Sequence, residues 1–260
     1  MAEQGAFCAL VLAGSRGEED PVARAAGVEE KCLAPLLGKP MLAWVLESLE
    51  ASRSVGRIAV VATRPDLLAM ICAEHGAALI DAASAPAQSV LEAVEELDSP
   101  YPLLIVTADN PLLTPERVDV FCTAAAGKAA DLAAGLTPSA AIKAAFPESR
   151  RTYLKFRDEH YSGANLFALT SQAGLAAVSY WRRVERERKK PWKVVGAFGL
   201  GSLIAFAFNR LTLDDAMARG SRKIGAKAVA IRLEEAEAAV DVDRPEDLIL
   251  AERLLAERKQ

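Results

Sequence analysis

The chain has few of the residues that build histidine- or thiolate-based centres. It holds two histidines, His75 and His160, in 260 residues. His75 lies near the end of a predicted helix, where it favours the dipole. His160 sits in the turn Arg157-Asp158-Glu159-His160-Tyr161, and neither calls for a histidine-based mechanism. The four cysteines, Cys8, Cys32, Cys72 and Cys122, are scattered without metal-ligand spacing. Cys8, Cys72 and Cys122 fall in apolar runs and read as buried thiols of a reducing compartment. A basic balance is also lacking: the net charge of −4 argues against a general nucleic-acid binder. The N-terminus shows no basic stretch followed by an apolar one, so the expectation is a cytoplasmic protein without a signal peptide. The longest apolar run, Val194–Phe208, covers fifteen residues and is too short to span a bilayer.

What is present suits a packed α/β protein. The chain is 52% hydrophobic and 25% charged, enough for one large domain, residues 1–260, with an elaboration at about 174–230. Strand-like and helical runs alternate. Phe7–Leu12, Arg57–Ala62, Ala77–Asp81 and Leu103–Thr107 read as strands. Met41–Ser52, Pro65–Glu74 and Ser89–Leu97 read as helices, and Thr114 is the expected cap of another. Farther on, Ala130–Gly135, Thr152–Phe156, Gly163–Leu169 and Ala239–Val242 look like strands, and Arg244-Pro245-Glu246-Asp247 opens a last helix to Arg258. This rhythm predicts a Rossmann-like three-layer α/β/α fold with a mostly parallel mixed sheet. Ligands then belong beyond the carboxyl ends of the strands, where Gly14 and Asp109 both fall.

Those positions carry the chemistry. The first strand runs into Ala13-Gly14-Ser15-Arg16-Gly17, a small-residue turn that lets backbone N–H groups approach a phosphate. Arg24 and Lys31 supply positive charge to a triphosphate. Asp109 ends a buried strand. Asp241 and Asp243 alternate about Val242, which on a strand turns both to one side. Mg²⁺ needs only one or two protein carboxylates, because it keeps several waters. Asp109 with Asp243, or Asp241 as another ligand, meets that need, whereas a single such Asp is more often a cap or turn residue.

Five blocks in order resemble the MobA-like nucleotidyltransferases, a family that includes sugar-1-phosphate, methylerythritol-phosphate and molybdopterin nucleotidyltransferases. They are Leu12-Ala13-Gly14; Arg24 and Lys31 with the following Leu-Gly-Lys-Pro-Met-Leu run; Thr107-Ala108-Asp109-Asn110-Pro111-Leu112; Ser162-Gly163-Ala164-Asn165; and Asp241-Val242-Asp243-Arg244-Pro245-Glu246-Asp247-Leu248. The resemblance implies a Mg²⁺-dependent enzyme joining an NTP to a phosphorylated small-molecule acceptor, with release of pyrophosphate. Leu12, Ala13, Gly14, Ser15 and Arg16 would meet the nucleotide. Lys31, Arg24 and Asp109 would be catalytic. Asp109, Asp243 and Asp241 are the metal candidates, and Gly163 and Asn165 would face the acceptor. Gln88-Ser89-Val90 resembles a base-contacting segment of the cytidylyltransferases, which favours CTP over GTP or UTP. The same two residues also fit a plain helix N-terminus with Ser89 near the cap.

The glycine-rich loop departs from the family pattern. Arg16-Gly17-Glu18-Glu19-Asp20-Pro21 makes it about five residues longer, with Arg16 a rival to Arg24. The acids at 18–20 either point outward or close over a cationic acceptor. The basic run Arg182–Lys190 reads as a solvated amphipathic helix. The apolar run Val194–Phe208 reads as a buried helix or homodimer contact; alternatively, residues 181–208 read as an interfacial segment touching a membrane or lipid precursor through Trp181 and Trp192. Two other functional readings stand beside the transferase. One is a non-catalytic nucleotide-binding or scaffold domain. The other is a GT-A type glycosyltransferase, which usually needs an Asp-x-Asp pair that Ala108-Asp109-Asn110 does not offer.

Overall fold

The structure is a computed structural model that describes residues 6–14, 20–148, 151–187 and 211–258. Its centre is an eight-stranded mixed sheet. The strands are β1 (Phe7–Ala13), β4 (Val55–Ala62), β5 (Ala78–Asp81), β6 (Leu103–Thr107), β7 (Leu132–Pro138), β8 (Leu154–Lys155), β9 (His160–Leu169) and β10 (Ala228–Arg232). The spatial order is β10-β7-β9-β6-β1-β4-β5, with β8 paired to β9. All neighbours pair in parallel except those of β9, which runs against β6, β7 and β8. A small antiparallel hairpin, β2 (Pro35–Leu36) with β3 (Lys39–Pro40), stands apart.

The alternation along β1 decides which side chain meets which layer. Ala9, Val11 and Ala13 face one core with α2 (Met41–Glu50), α3 (Pro65–Glu74) and α5 (Pro115–Gly127). Cys8 and Leu10 face the other, with α4 (Pro86–Glu96) and the partly buried Leu175 and Val178 of α7 (Leu175–Glu187). Burial on both faces is what a parallel strand in a three-layer fold requires. A third core gathers Val22 of α1 (Pro21–Ala26), Ala34, Leu112, Val240 and Val242 with Ala251, Leu254 and Leu255 of α9 (Pro245–Arg258). This third core fixes the Lys31 turn, the turn after β6 and the 240–243 segment to one another.

Several elements differ from the sequence reading. The helix expected from Ser89 begins at Pro86, whose fixed φ suits a first helical position, so Ser89 lies in the second turn. The cap is Ala85 rather than Ser89. The polar stretch after the first strand contains α1, opened by Pro21. A short helix α6 (Ser139–Ala145) follows β7. The expected strand Ala239–Val242 is not formed. Ala236–Ala239 is a 3-10 turn, and residues 240–243 lead into α9 outside any strand. The outer strand beside β7 is β10 instead, preceded by α8 (Leu213–Ile224), so the expected elaboration returns to the main sheet from Ala228. Among the described residues no helix is long and apolar enough to cross a membrane. The run Val194–Phe208 and Trp192 lie outside the described residues. Trp181 is exposed on α7, where its indole donates to Glu185.

Candidate active site

Three backbone segments meet at the carboxyl ends of the central strands. Ala108 N–H donates to the Leu12 carbonyl at 3.0 Å, and Val242 N–H donates to the Asp109 carbonyl at 2.9 Å. The end of β1, the turn after β6 and the 241–243 segment are thus joined before any side chain is considered. Gly14 follows directly. A Cβ built there would meet Thr63 Oγ1 at 3.5 Å and the Ala82 side chain at 4.0 Å, ordinary contacts beside the ends of β4 and β5. The protein's own packing does not demand glycine at this position.

Lys31 enters from a 3-10 turn, Lys31–Leu33. Its Nζ lies 2.5 Å from Asp109 Oδ2 and 3.1 Å from Asp243 Oδ1. Burial alone would pull the ammonium down, but the charges and hydrogen bonds of Asp109 and Asp243 outweigh it, and the Lys31 pKa lies above the ordinary lysine value. The group therefore stays charged throughout the neutral range.

The turn after β6 also carries unsatisfied oxygens. Thr107 Oγ1, Asp109 Oδ1 and Asn110 Oδ1 are buried and have no hydrogen-bond partner. Such groups are rare in native proteins and gather where a ligand or ion completes them. Asp109 Oδ1 and the half-exposed Asp243 carboxylate are hard oxygen donors, and this donor set fits a magnesium ion. Among the described residues no group of three or more His, Cys, Asp or Glu side chains is gathered for a metal. A cation here would rest on two carboxylates and complete its shell with water and substrate oxygens.

Asp241, the other metal candidate, is not paired with Lys31. Without a strand to align them, Asp241 and Asp243 serve different partners. Asp241 pairs with the guanidinium of Arg151 and accepts from Asn165 Nδ2 at 3.1 Å, while Asp243 takes Lys31. Asn165 sits in the left-handed region at φ 51°, a conformation asparagine tolerates better than most residues. It lies where the β7–β9 register shifts between Ala134 and Leu136. Gly135 opposes this bulge, and a Cβ there would press on Leu166 at 3.2 Å and Ala164 at 3.4 Å. Gly163 is exposed on the same strand, with open space around it. Buried Asn110 donates to the Ala164 carbonyl at 3.3 Å and ties the bulge to the Asp109 turn.

The remaining expected residues are placed as follows. Arg24 is exposed on α1, and among the described residues it makes no ion pair with Asp109 or Asp243. Ser15 and Arg16 lie outside the described residues, as do Glu18 and Glu19. Asp20, the last of the three acids, caps α1 by accepting from Val22 and Ala23 N–H. Ser89 is buried and accepts the Ala83 N–H at 3.0 Å, which pins the turn between β5 and α4. Gln88 donates to Glu92 and accepts from Arg182 of α7. Both side chains are thereby engaged with the protein. No periodicity or motif spacing marks Arg151 in the sequence. Asn110 falls inside the Thr107–Leu112 block without a role of its own, and only the folded chain shows what either side chain touches.

Residues 9–183 match the MobA-like NTP transferase domain. The chain belongs to this family. Two curated 3-deoxy-manno-octulosonate cytidylyltransferases are similar over part of their length. The Zea mays protein is 33% identical over 95 residues, 35% of this chain and 32% of that protein. The protein of Anaeromyxobacter dehalogenans is 33% identical over 102 residues, 38% of this chain and 42% of that protein. The similarity thus spans well under half of either relative. Among solved structures, a hypothetical transferase from Thermus thermophilus superposes with a TM-score of 0.77 at 31% identity, covering 94% of this chain and 99% of that one. A 4-diphosphocytidyl-2C-methyl-D-erythritol synthase from Anaerococcus prevotii shares the fold at 13% identity, with a TM-score of 0.62 and 97% of each chain covered. The family and these neighbours agree with the three-layer Rossmann-like architecture expected from the strand and helix rhythm.

Proposed function

We propose that this protein is a magnesium-dependent nucleotidyltransferase that uses CTP and transfers its cytidylyl group to a small phosphorylated acceptor. The observation that carries the reading is the Lys31 ammonium shared by Asp109 and Asp243 at the strand ends, beside the open Gly14 turn. The choice of CTP is supported by the curated relatives, which are cytidylyltransferases, and by the Gln88-Ser89-Val90 segment.

In the proposed reaction an acceptor oxygen attacks the α-phosphorus of the nucleotide. The bond from that phosphorus to the oxygen bridging to the β-phosphate breaks, and pyrophosphate leaves. A phosphate acceptor is already ionised at neutral pH, so no strong general base is required. What the site must supply is position and positive charge. Backbone N–H groups at Ala13 and Gly14 offer the approach to the phosphates. Lys31 stays protonated and can turn from its carboxylates to a phosphate oxygen. Magnesium, when bound by Asp109 and Asp243, would supply further charge to the phosphates. Asn165 lines the acceptor side.

The test is pyrophosphate release with CTP, UTP, GTP and ATP, with Mg²⁺ or with chelator. The acceptor panel contains sugar phosphates, polyol phosphates and the unphosphorylated 3-deoxy-manno-octulosonate. Release that needs CTP, Mg²⁺ and a phosphorylated acceptor is the expected result. Release with another NTP alone corrects the base, and release with the unphosphorylated sugar acid corrects the acceptor. Nucleotide binding without release across the whole panel would overturn the transferase reading in favour of a binding module.

A further inference from the structure

Asp243 reaches the site on a segment without secondary structure of its own. Residues 240–243 lie outside any strand or helix, between a 3-10 turn and α9, and one backbone bond, Val242 to Asp109, joins them to the turn after β6. Such a segment needs another anchor if the Asp243 carboxylate is to stand at a fixed place. The anchor comes from a loop ninety residues earlier. The Arg151 guanidinium, 8% exposed, pairs through Nη1 with Asp241 Oδ1. Its Nη2 donates to the Asp241 carbonyl at 3.2 Å and lies 3.4 Å from Asp247 Oδ1. The other Asp247 oxygen accepts the N–H groups of Asp243 at 3.3 Å and Arg244 at 3.0 Å. One cation thus grips the segment on both sides of Asp243, and through Asp247 it reaches the Asp243 backbone itself.

We propose that Arg151 is a positioning residue for Asp243: by holding Asp241 and Asp247 it sets the 241–247 segment so that the Asp243 carboxylate stands beside Lys31 and Asp109. The planar guanidinium suits this, because it can serve a carboxylate and a carbonyl on one side and a second carboxylate on the other. Charge acts in the same direction. Asp109, Asp241, Asp243 and Asp247 bring four carboxylates to this region, and Lys31 meets two of them. With Arg151 gone, Asp241 and Asp247 keep their negative charge without the cation that holds them, and repulsion moves the segment outward. Arg151 acts here through other side chains and is not itself assigned to the reacting atoms. The consequence for metal binding rests on the function proposed above, whereas the consequence for Lys31 does not.

The test compares wild type, Arg151→Met, Arg151→Lys and Arg151→Met/Asp241→Asn at a temperature far below each melting point. The first readout is amine labelling of Lys31 by a succinimidyl ester, followed by mass spectrometry, with Lys143 and Lys155 as internal references. The second is retention of Mn²⁺ by the protein in the presence of CTP, read by electron paramagnetic resonance. Arg151→Met should label Lys31 several-fold faster and weaken Mn²⁺ retention about tenfold, since a charged ligand displaced by a few ångströms loses interaction of that order. Arg151→Lys should recover part of both, and removing the Asp241 charge in the double variant should recover part of the loss in Arg151→Met. Unchanged Lys31 labelling in folded Arg151→Met would overturn the proposal, as would a double variant no better than Arg151→Met in both readouts. If no form retains Mn²⁺ with CTP, the metal-dependent reading of the function fails, and Lys31 labelling still decides the role of Arg151.

Discussion

The Lys31 ammonium lies 2.5 Å from Asp109, 78 residues away in sequence, and Asp243 takes its other side at 3.1 Å. A single cation therefore stands between the two carboxylates best placed to hold a metal. On the proposed function, a divalent ion would compete with Lys31 for the same negative charge until a triphosphate gave the lysine another partner.

Lys31→Met separates these two parts. Nucleotidyl transfer should fall about 10²–10³-fold, the usual cost of losing a group that stabilises transition-state charge. Mn²⁺ binding in the absence of nucleotide should instead tighten about tenfold, because one positive charge has left the carboxylate pair. Electron paramagnetic resonance titration of the two proteins measures this. Equal Mn²⁺ affinity would show that the ammonium does not compete for the site.

Gly14→Ala should leave the fold intact and impair nucleotide binding. The added Cβ meets only ordinary contacts, at 3.5 Å and 4.0 Å, so the melting temperature should hold or rise slightly. The thermal shift produced by CTP should shrink, since on the proposed function the methyl group would stand where the phosphates approach the backbone. A variant with an undiminished CTP shift would remove Gly14 from the nucleotide site.

The thiols should be inert in the native state. All four cysteines are free and buried. Burial pushes Cys32 and Cys122 up to about 12 and Cys72 up to about 11, far above neutral pH. A chromogenic disulfide reagent should titrate none of them until denaturant is added. Prompt reaction of even one thiol without denaturant contradicts that burial.

Glu30 makes stability depend on pH. Burial pushes its carboxyl up, against the opposing pull of Arg64, so the folded pKa exceeds the unfolded one. The unfolded chain then loses its proton first as pH rises. Glu30's contribution to stability is complete below its unfolded pKa and declines as pH climbs through the folded value. Glu30→Gln removes that decline. Its melting temperature should match wild type near pH 4 and exceed it at pH 7. A Glu30→Gln protein less stable at pH 7 would mean the ionised carboxylate has a favourable partner.

The blocks that name the chemistry were legible because each is local. The run Phe7–Ala13 into Gly14 reads as strand and turn from adjacent residues. Thr114 was legible as a cap because its hydroxyl accepts the N–H of Arg117, three residues on. The strand expected at 239–242 failed because apolar alternation does not provide a partner. The edge beside β7 is filled by β10, and residues 240–243 cross to the site outside any strand.

The sequence by itself determined the layered fold, and it offered the ends of the central strands as the place for a ligand, with Arg24, Lys31, Asp109, Asp241 and Asp243 as the candidates. Those follow from period-2 and period-3.6 patterning and from motifs a few residues long. Only the tertiary structure decided that Asp241 serves Arg151 and Asn165 while Asp243 serves Lys31. Residues two apart on a strand would have faced one way. On an unpaired segment their directions are set by whichever charges the rest of the chain brings, and Arg151 arrives from a loop whose position no local pattern encodes.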